Sequence, residues 1–265
     1  MKLYMSVDIE GVAGISNWLE ANNKEEAYKY FAEQMTKEAA AAAEAAVARG
    51  ASEIVVRDAH ASARNMTPAM FPQKCSFIRG WAGSPKTMMD GIDESFDGCF
   101  MIGYHSRAGS GENPLSHSFS SSRIFSITLN GRLVSEYYIN MLTAAYYGVP
   151  LLVLSGDQGL CQVAKQDLPQ VETVATQKGV GACTHSIHPD KALSLIKEAV
   201  DKALSRDLPK PFSLPKYFRI ELVYKDHPEC YKNSFYPGAQ TDGSRCLIYE
   251  ADDWWEILRF LHFVI

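Results

Sequence analysis

Short apolar runs that stop abruptly at acidic or histidine residues recur along the first part of the chain. Lys2 to Val7 is apolar-rich and ends in Asp8, Glu10 and Gly11; Glu53 to Arg57 is β-branched and ends in Asp58 and His60; Cys99 to Tyr104 ends in His105. Runs of this length and composition, bounded by polar residues, predict buried strands that end at loops. Between the first two lies an Ala-rich stretch studded with Glu and Lys, from Lys24 to Arg49. It predicts a helix, with Asn23 and Glu26 offering a capping box and Gly50 the left-handed terminator. Ile124 to Leu129 and Arg132 to Val134 flank Asn130-Gly131, the dipeptide preferred by a type I′ hairpin. Tyr137 to Tyr147 then reads as a helix closed by Gly148 and Pro150, and Leu151 to Leu154 as a fourth buried strand ending in Gly156 and Asp157.

Strands alternating with helices predict parallel βαβ units. The fold expected is therefore α/β, a doubly wound and mostly parallel sheet with helices on both faces, over residues 1–163. The pattern is less regular in residues 164–265, which predict a smaller α+β section able to pack on the core as one continuous unit. There Val171 to Ala175, Tyr217 to Tyr224 and Cys246 to Tyr249 read as strands, and Asp190 to Ser205 and the residues from Asp252 onward as helices, with Pro209 to Pro215 as a connector.

In an open parallel sheet, ligands bind beyond the carboxyl ends of the strands, where Asp8, Glu10, His60 and His105 all fall. Glu136, just after the hairpin, adds another carboxylate. Taken singly, each has an ordinary explanation: a solvated loop carboxylate, a hydrogen-bonded histidine, or a glutamate complementing a helix dipole. Together they form a mixed nitrogen and oxygen donor set without thiolate, the type used by hydrolytic zinc or manganese centres. Two ions need a shared ligand, and Asp8 is the candidate bridge. The polar segment Gly111 to Ser122 is long enough to fold over this end of the sheet and carries His117, a candidate for proton transfer or an exposed loop histidine without a role. No role follows for His185, His188, His227 or His262.

Composition narrows the function further. A net charge of -5 in 265 residues offers no broad basic surface, which disfavours nucleic acid and anionic membranes as partners. No run approaches the roughly 18 apolar residues needed to span a bilayer, and the short N-terminal apolar run is interrupted by Asp8 and Glu10, so an intracellular protein is expected. The six cysteines are scattered, without a CxxC pair, as suits reduced thiols in a cytoplasm. The sequence has no phosphate loop, GxSxG elbow, HExxH or kinase signature.

The stretches SVDIEG (6 to 11), VRDAHAS (56 to 62), IGYHSRAG (102 to 109), LSHSFS (115 to 120) and NGRLVSE (130 to 136) occur in this order. In them the chain resembles the bacterial zinc-dependent D-aminopeptidases associated with dipeptide-transport operons. The likeness extends into VLSGDQ (153 to 158), while the last hundred residues match mainly in length and style. The resemblance implies two zinc ions per subunit, with Asp8 shared between them and Glu10, His60, His105 and Glu136 as the remaining ligands. It places His117 on the family's catalytic histidine, there proposed as nucleophile; a metal-activated water is already an adequate nucleophile, so proton transfer is the role expected here. It further implies short peptides with an N-terminal D-amino acid as substrates, D-Ala-D-Ala among them, a cytoplasmic location and a ring-shaped homodecamer. The loop AGSGENPLSH before His117 departs from the family pattern, which bears on specificity. Two other readings accommodate the same residues: a two-metal phosphoesterase or other small-molecule hydrolase, and a non-catalytic metal-containing protein that binds peptides or forms a shell.

Overall fold

A computed structural model describes residues 1–265. In chain order the strands are β1 (Lys2–Val7), β2 (Glu53–Asp58), β3 (Cys75–Ile78), β4 (Gly98–Tyr104), β5 (Ile124–Leu129), β6 (Arg132–Leu133), β7 (Leu151–Asp157), β8 (Glu172–Val180), β9 (Cys183–Ser186), β10 (Phe218–Tyr224), β11 (Gln240–Thr241) and β12 (Cys246–Ala251). The helices are α1 (Trp18–Ala21), α2 (Tyr28–Ala48), α3 (Glu136–Tyr146), α4 (Gln158–Asp167), α5 (Pro189–Leu204), α6 (His227–Asn233) and α7 (Trp254–Val264).

The larger sheet has the order β3-β2-β1-β4-β7-β8-β9. All its neighbours pair in parallel except β8 with β9. Side chains on successive strand residues point to opposite faces, and the two faces are both apolar. Leu3, Met5 and Val7 of β1 share a core with Met35 and Ala39 of α2 and Ile196 and Val200 of α5. Tyr4 of the same strand faces the other side, with Leu142 of α3 and Leu160 of α4. Burial on both faces explains why these strands read as near-continuous apolar runs.

The smaller sheet, β11-β12-β10-β5-β6, is antiparallel where its strands pair. β10 alternates buried and half-buried residues, as a sheet with one covered face must. Its buried face, with Ile220 and Leu222, packs into the α3 side of the core together with Trp254, Ile257 and Phe260 of α7. The hairpin forms at Asn130-Gly131 with φ of +49° and +80°, the pair of positive values a type I′ turn requires.

Several details differ from the sequence reading. The sheets do not part at residue 163: β8, β9 and α5 continue the larger layer, while the β5–β6 hairpin belongs to the smaller sheet. The long helix starts at Tyr28, with no side-chain cap on Ala27. The capping box is instead Asn17 with Glu20, at α1. Strand β3, strand β9 and helices α4 and α6 had no counterpart in the sequence pattern.

Candidate active site

The sheet order reverses direction between β1 and β4: β2 and β3 lie to one side, β7 and β8 to the other. Chains leaving the carboxyl ends of such neighbours diverge and leave a crevice. Here the two backbones also touch as they leave. Asp8 N donates to the Ile102 carbonyl and Gly11 N to the Gly103 carbonyl, each at 2.8 Å. A Cβ on Gly11 would stand 1.8 Å from the Tyr104 carbonyl oxygen, and one on Gly103, at φ +74°, 2.2 Å from the Asp8 carbonyl oxygen. Only glycine permits this approach, which sets Asp8 and His105 side by side although they are far apart in sequence.

All six expected site residues meet in this crevice. His60 Nδ1 lies 3.3 Å from Asp8 Oδ1 and 3.2 Å from Glu10 Oε2. His105 Nε2 lies 3.6 Å from Asp8 Oδ2 and 3.6 Å from Glu136 Oε2. The two oxygens of Asp8 thus face two different imidazoles, each accompanied by a further carboxylate. His117 Nε2 stands 3.5 Å from Glu136 Oε1, and its ring stacks on that of His105 with centroids 4.2 Å apart.

The other nitrogen of each histidine is engaged by a backbone carbonyl. His60 Nε2 donates to Ala21 at 2.8 Å, His105 Nδ1 to Ser106 at 2.9 Å and His117 Nδ1 to Leu115 at 3.0 Å. A carbonyl can only accept, so each of these nitrogens carries its hydrogen and the opposite ring nitrogen is the one turned into the crevice, the orientation of metal-ligating histidines. Supporting groups hold the loops. Asp58 accepts from Asn65 N and Nδ2, both at 2.6 Å, and from Met66 N at 2.9 Å, while Asn65 Nδ2 also donates to the His60 carbonyl. Asp157 accepts from Ser106 N and Oγ at 2.6 Å and caps α4 through Leu160 N. Asn113 Nδ2 donates to the Glu10 carbonyl at 2.9 Å. Glu136, the first residue of α3, accepts from Phe119 N at 2.6 Å. Phe119 has φ +58°, a strained conformation for a residue with a side chain.

Whether these residues suit a metal can be judged from spacing and satisfaction. The separations across the cluster exceed the 2.7–2.9 Å usual for charge-assisted hydrogen bonds. They match instead the edge of a tetrahedron with its corners about 2.0–2.2 Å from a central zinc, an edge of roughly 3.3–3.6 Å. Glu10 Oε2 and His105 Nε2 are buried yet make no aligned hydrogen bond, a costly arrangement unless something else meets them. The donors form two groups, Asp8, Glu10 and His60 in one and His105, His117 and Glu136 in the other. The residues present fit a pair of divalent cations.

Charge inside the crevice is arranged unevenly. Burial, followed by repulsion from Glu10, raises the Asp8 carboxyl to about 7. Against the cost of burial, His60 holds Glu10 well below the usual carboxylate range, and His105 and His117 hold Glu136 below it. Burial alone would pull the His60 and His105 imidazoles down, but their carboxylate neighbours hold both well above the ordinary value. His117 goes the other way, pushed down by burial and then by His105, which favours its neutral form.

A cleft of about 320 Å³ opens over the cluster. Its walls include Trp18, Trp81, Met88 and Phe119, and its floor Asp8, Glu10, His60, His117 and Glu136; no lysine or arginine lines it. Trp18 and Trp81 carried no signal in the sequence pattern, because each reaches the cleft from a loop or a one-turn helix.

Known proteins resemble this chain along nearly its whole length. The profile of the D-aminopeptidase family of peptidases matches residues 1–263. The curated D-aminopeptidase of Bacillus subtilis strain 168 is 29% identical over 259 residues, covering 96% of this chain and 92% of the relative. The solved structure of the Zn-dependent D-aminopeptidase DppA from Bacillus subtilis, described as a self-compartmentalizing protease, superposes with a TM-score of 0.93 at 27% identity. That match covers 100% of this chain and 96% of the other. With its whole length matched and its strand-end donors gathered at the switch point of the sheet, the chain belongs to the D-aminopeptidase family.

Proposed function

We propose that this chain is a di-zinc aminopeptidase that removes N-terminal D-amino acids from short peptides. The observation that carries the reading is the division of the two Asp8 oxygens between His60 and His105. On this reading Asp8, Glu10 and His60 hold one zinc, and Asp8, His105 and Glu136 the other. Bound zinc would supply Lewis acidity toward a carbonyl oxygen and toward water.

The protein groups do the rest. The cleft is lined by no lysine or arginine, so it offers no cationic side chain to hold a phosphate ester. With the D-aminopeptidase family matched over residues 1–263, this favours the aminopeptidase over the two-metal phosphoesterase. His117, neutral and with Nε2 directed toward the cluster, accepts a proton from the attacking water and returns it to the departing amine, a role worth roughly 10² to 10⁴ in rate. Stacking on His105 and the Leu115 carbonyl fix its orientation. The likeness to the self-compartmentalizing DppA supports assembly around a chamber, and the form proposed, from the family resemblance, is a ring-shaped homodecamer that admits only short peptides. No helix is long and apolar enough to cross a membrane. All six cysteines are free, in keeping with a place in the reducing cytoplasm.

Metal analysis combined with turnover of D-Ala-D-Ala, L-Ala-L-Ala and p-nitrophenyl phosphate tests the reading. Two zinc ions per chain with selective cleavage of the D-dipeptide is the expected result. Zinc binding without turnover of any of the three would favour the non-catalytic alternative.

A further inference from the structure

Two indoles stand at the mouth of the cleft, and one is held more firmly than a surface side chain requires. Trp81 is 46% exposed and Trp18 40%, and both line the cleft. Trp81 Nε1 donates to the carbonyl of Ala61, the residue after His60, at 2.7 Å. The Arg57 guanidinium lies over the Trp81 ring, 4.5 Å from its centroid. Arg57 belongs to β2 and is fully buried. Its Nη1 donates to the carbonyl of Gly80, the residue before Trp81, at 2.5 Å. Its Nη2 is 3.8 Å from Asp90 Oδ2, and neither Nε nor Nη2 has an aligned acceptor. A buried guanidinium so poorly matched to its carboxylate depends on the indole face as its remaining counter-surface.

The loop beneath Trp81 is equally constrained. Ala61 and Ala63 have φ of +42° and +53°, conformations that a residue with a side chain keeps only where its surroundings enforce them. Gly80 N donates to the Ala63 carbonyl at 2.7 Å, tying the two loops together. Trp18 packs edge-on against His117, centroids 5.2 Å apart. Trp81 thus flanks the His60 side of the cluster and Trp18 the His117 side.

We infer that Trp81, locked in place by Arg57, is the wall against which the larger side chain of the peptide packs, with Trp18 closing the cleft beside His117. The inference rests on the aminopeptidase reading above. On that reading the peptide's main chain lies at the donor cluster on the floor, which leaves the substrate's side chains to meet the rigid apolar rings. A preorganised indole gives up contact area at little ordering cost. Arg57 does not line the cleft; it is a positioning residue that acts through Trp81.

The test compares kcat and KM of the zinc-loaded full-length protein on D-Ala-D-Ala, D-Phe-D-Ala and D-Ala-D-Phe. Trp81→Ala is expected to lower kcat/KM for at least one phenylalanine peptide, relative to D-Ala-D-Ala, by roughly 10-fold or more, chiefly through KM. Arg57→Met should shift the same ratio in the same direction, and Arg57→Lys should stay closer to the parent protein. Trp81→Leu keeps an apolar cover over Arg57 and decides the matter where the alanine variant fails to fold. A common loss on all three peptides, with zinc content retained, would overturn the inference. Calorimetric binding of D-phenylalanine and D-alanine gives a readout independent of turnover. Should the parent protein cleave none of the peptides, the aminopeptidase reading fails. The wall then stands or falls on whether Trp81→Leu weakens D-phenylalanine binding more than D-alanine binding.

Discussion

Asp8 is the residue on which the rest of the site converges, since its two oxygens face different imidazoles. An amide in its place keeps the shape but presents one neutral oxygen and one NH₂, so it cannot serve two cations. Asp8→Asn is expected to bind fewer than two zinc ions per chain and to lose at least about 100-fold in kcat/KM, measurable by metal analysis alongside D-Ala-D-Ala turnover. His117→Ala should behave differently. It removes no proposed metal ligand, so zinc content is retained while kcat falls by about 10² to 10⁴; loss of zinc from this variant would make His117 a ligand rather than a proton carrier. Of the six residues gathered in the crevice, Asp8, Glu10, His60, His105 and Glu136 stand out in the sequence because they sit where an apolar strand or a hairpin gives out, and His117 because a polar loop carries it. Their supports do not. The tautomer of His60 depends on the carbonyl of Ala21, His105 is steadied through Ser106 and Asp157, and the His60 loop is held by Asp58 and Asn65, contacts that no local pattern encodes.

Among the elements, the strands of the switch point were legible and the start of α2 was not. Asn23 and Glu26 have the spacing of a capping box, but the helix begins at Tyr28 because Asn22 closes a turn instead, its Oδ1 accepting from Lys24 N at 3.2 Å. β3 and β9 carry no sequence signal because each is four residues long and neither contains a fully buried residue. The approach of β1 to β4 makes a sharp prediction. Gly11→Ala and Gly103→Ala each drive a methyl group into a backbone carbonyl, and urea unfolding should show losses of more than about 3 kcal/mol, together with lost zinc. Gly111→Ala, where the added methyl meets nothing within 4 Å, should stay within about 0.5 kcal/mol. Helix α2 carries a second prediction. Burial raises the Glu38 carboxyl from 4.5 to about 7, although it accepts from Ala13 N and Gln34 Nε2. A carboxyl raised on folding binds more protons in the native state than in the unfolded one, so its contribution to stability declines as pH rises from about 4.5 to 7. Glu38→Gln removes the buried charge while keeping the acceptor for Ala13 N. Its melting temperature relative to the parent should therefore rise between pH 5 and pH 8, by an amount on the order of 2–3 kcal/mol in stability. A parallel pair of pH profiles would show instead that Glu38 is not the titrating group.

At the scale of the whole molecule, the catalytic crevice and the most exposed aromatic surface belong to different layers. The crevice lies at the carboxyl edge of the larger sheet, whereas Tyr231 of α6, Phe235 just after that helix and Phe263 of α7 belong to the layer built on the smaller sheet and are 67%, 71% and 65% exposed. Tyr231 and Phe235 pack edge to face, with centroids 5.3 Å apart. None of the three lines the cleft. Adjoining aromatic side chains left open on one chain are costly in water and mark a surface covered by another protein. For a chain proposed to close into a ring, that partner is another copy of itself. The parent protein is therefore expected to sediment at about ten times its 29.4 kDa chain mass, and Tyr231→Glu combined with Phe235→Glu should yield a smaller species. Because the substitutions lie outside the crevice, the smaller species should keep its zinc. Chamber walls, if they set substrate length, act only in the closed ring, so the dissociated variant should cleave long D-peptides relatively better than the parent does. A double variant that still sediments with the parent would place the subunit contacts on another face of the molecule.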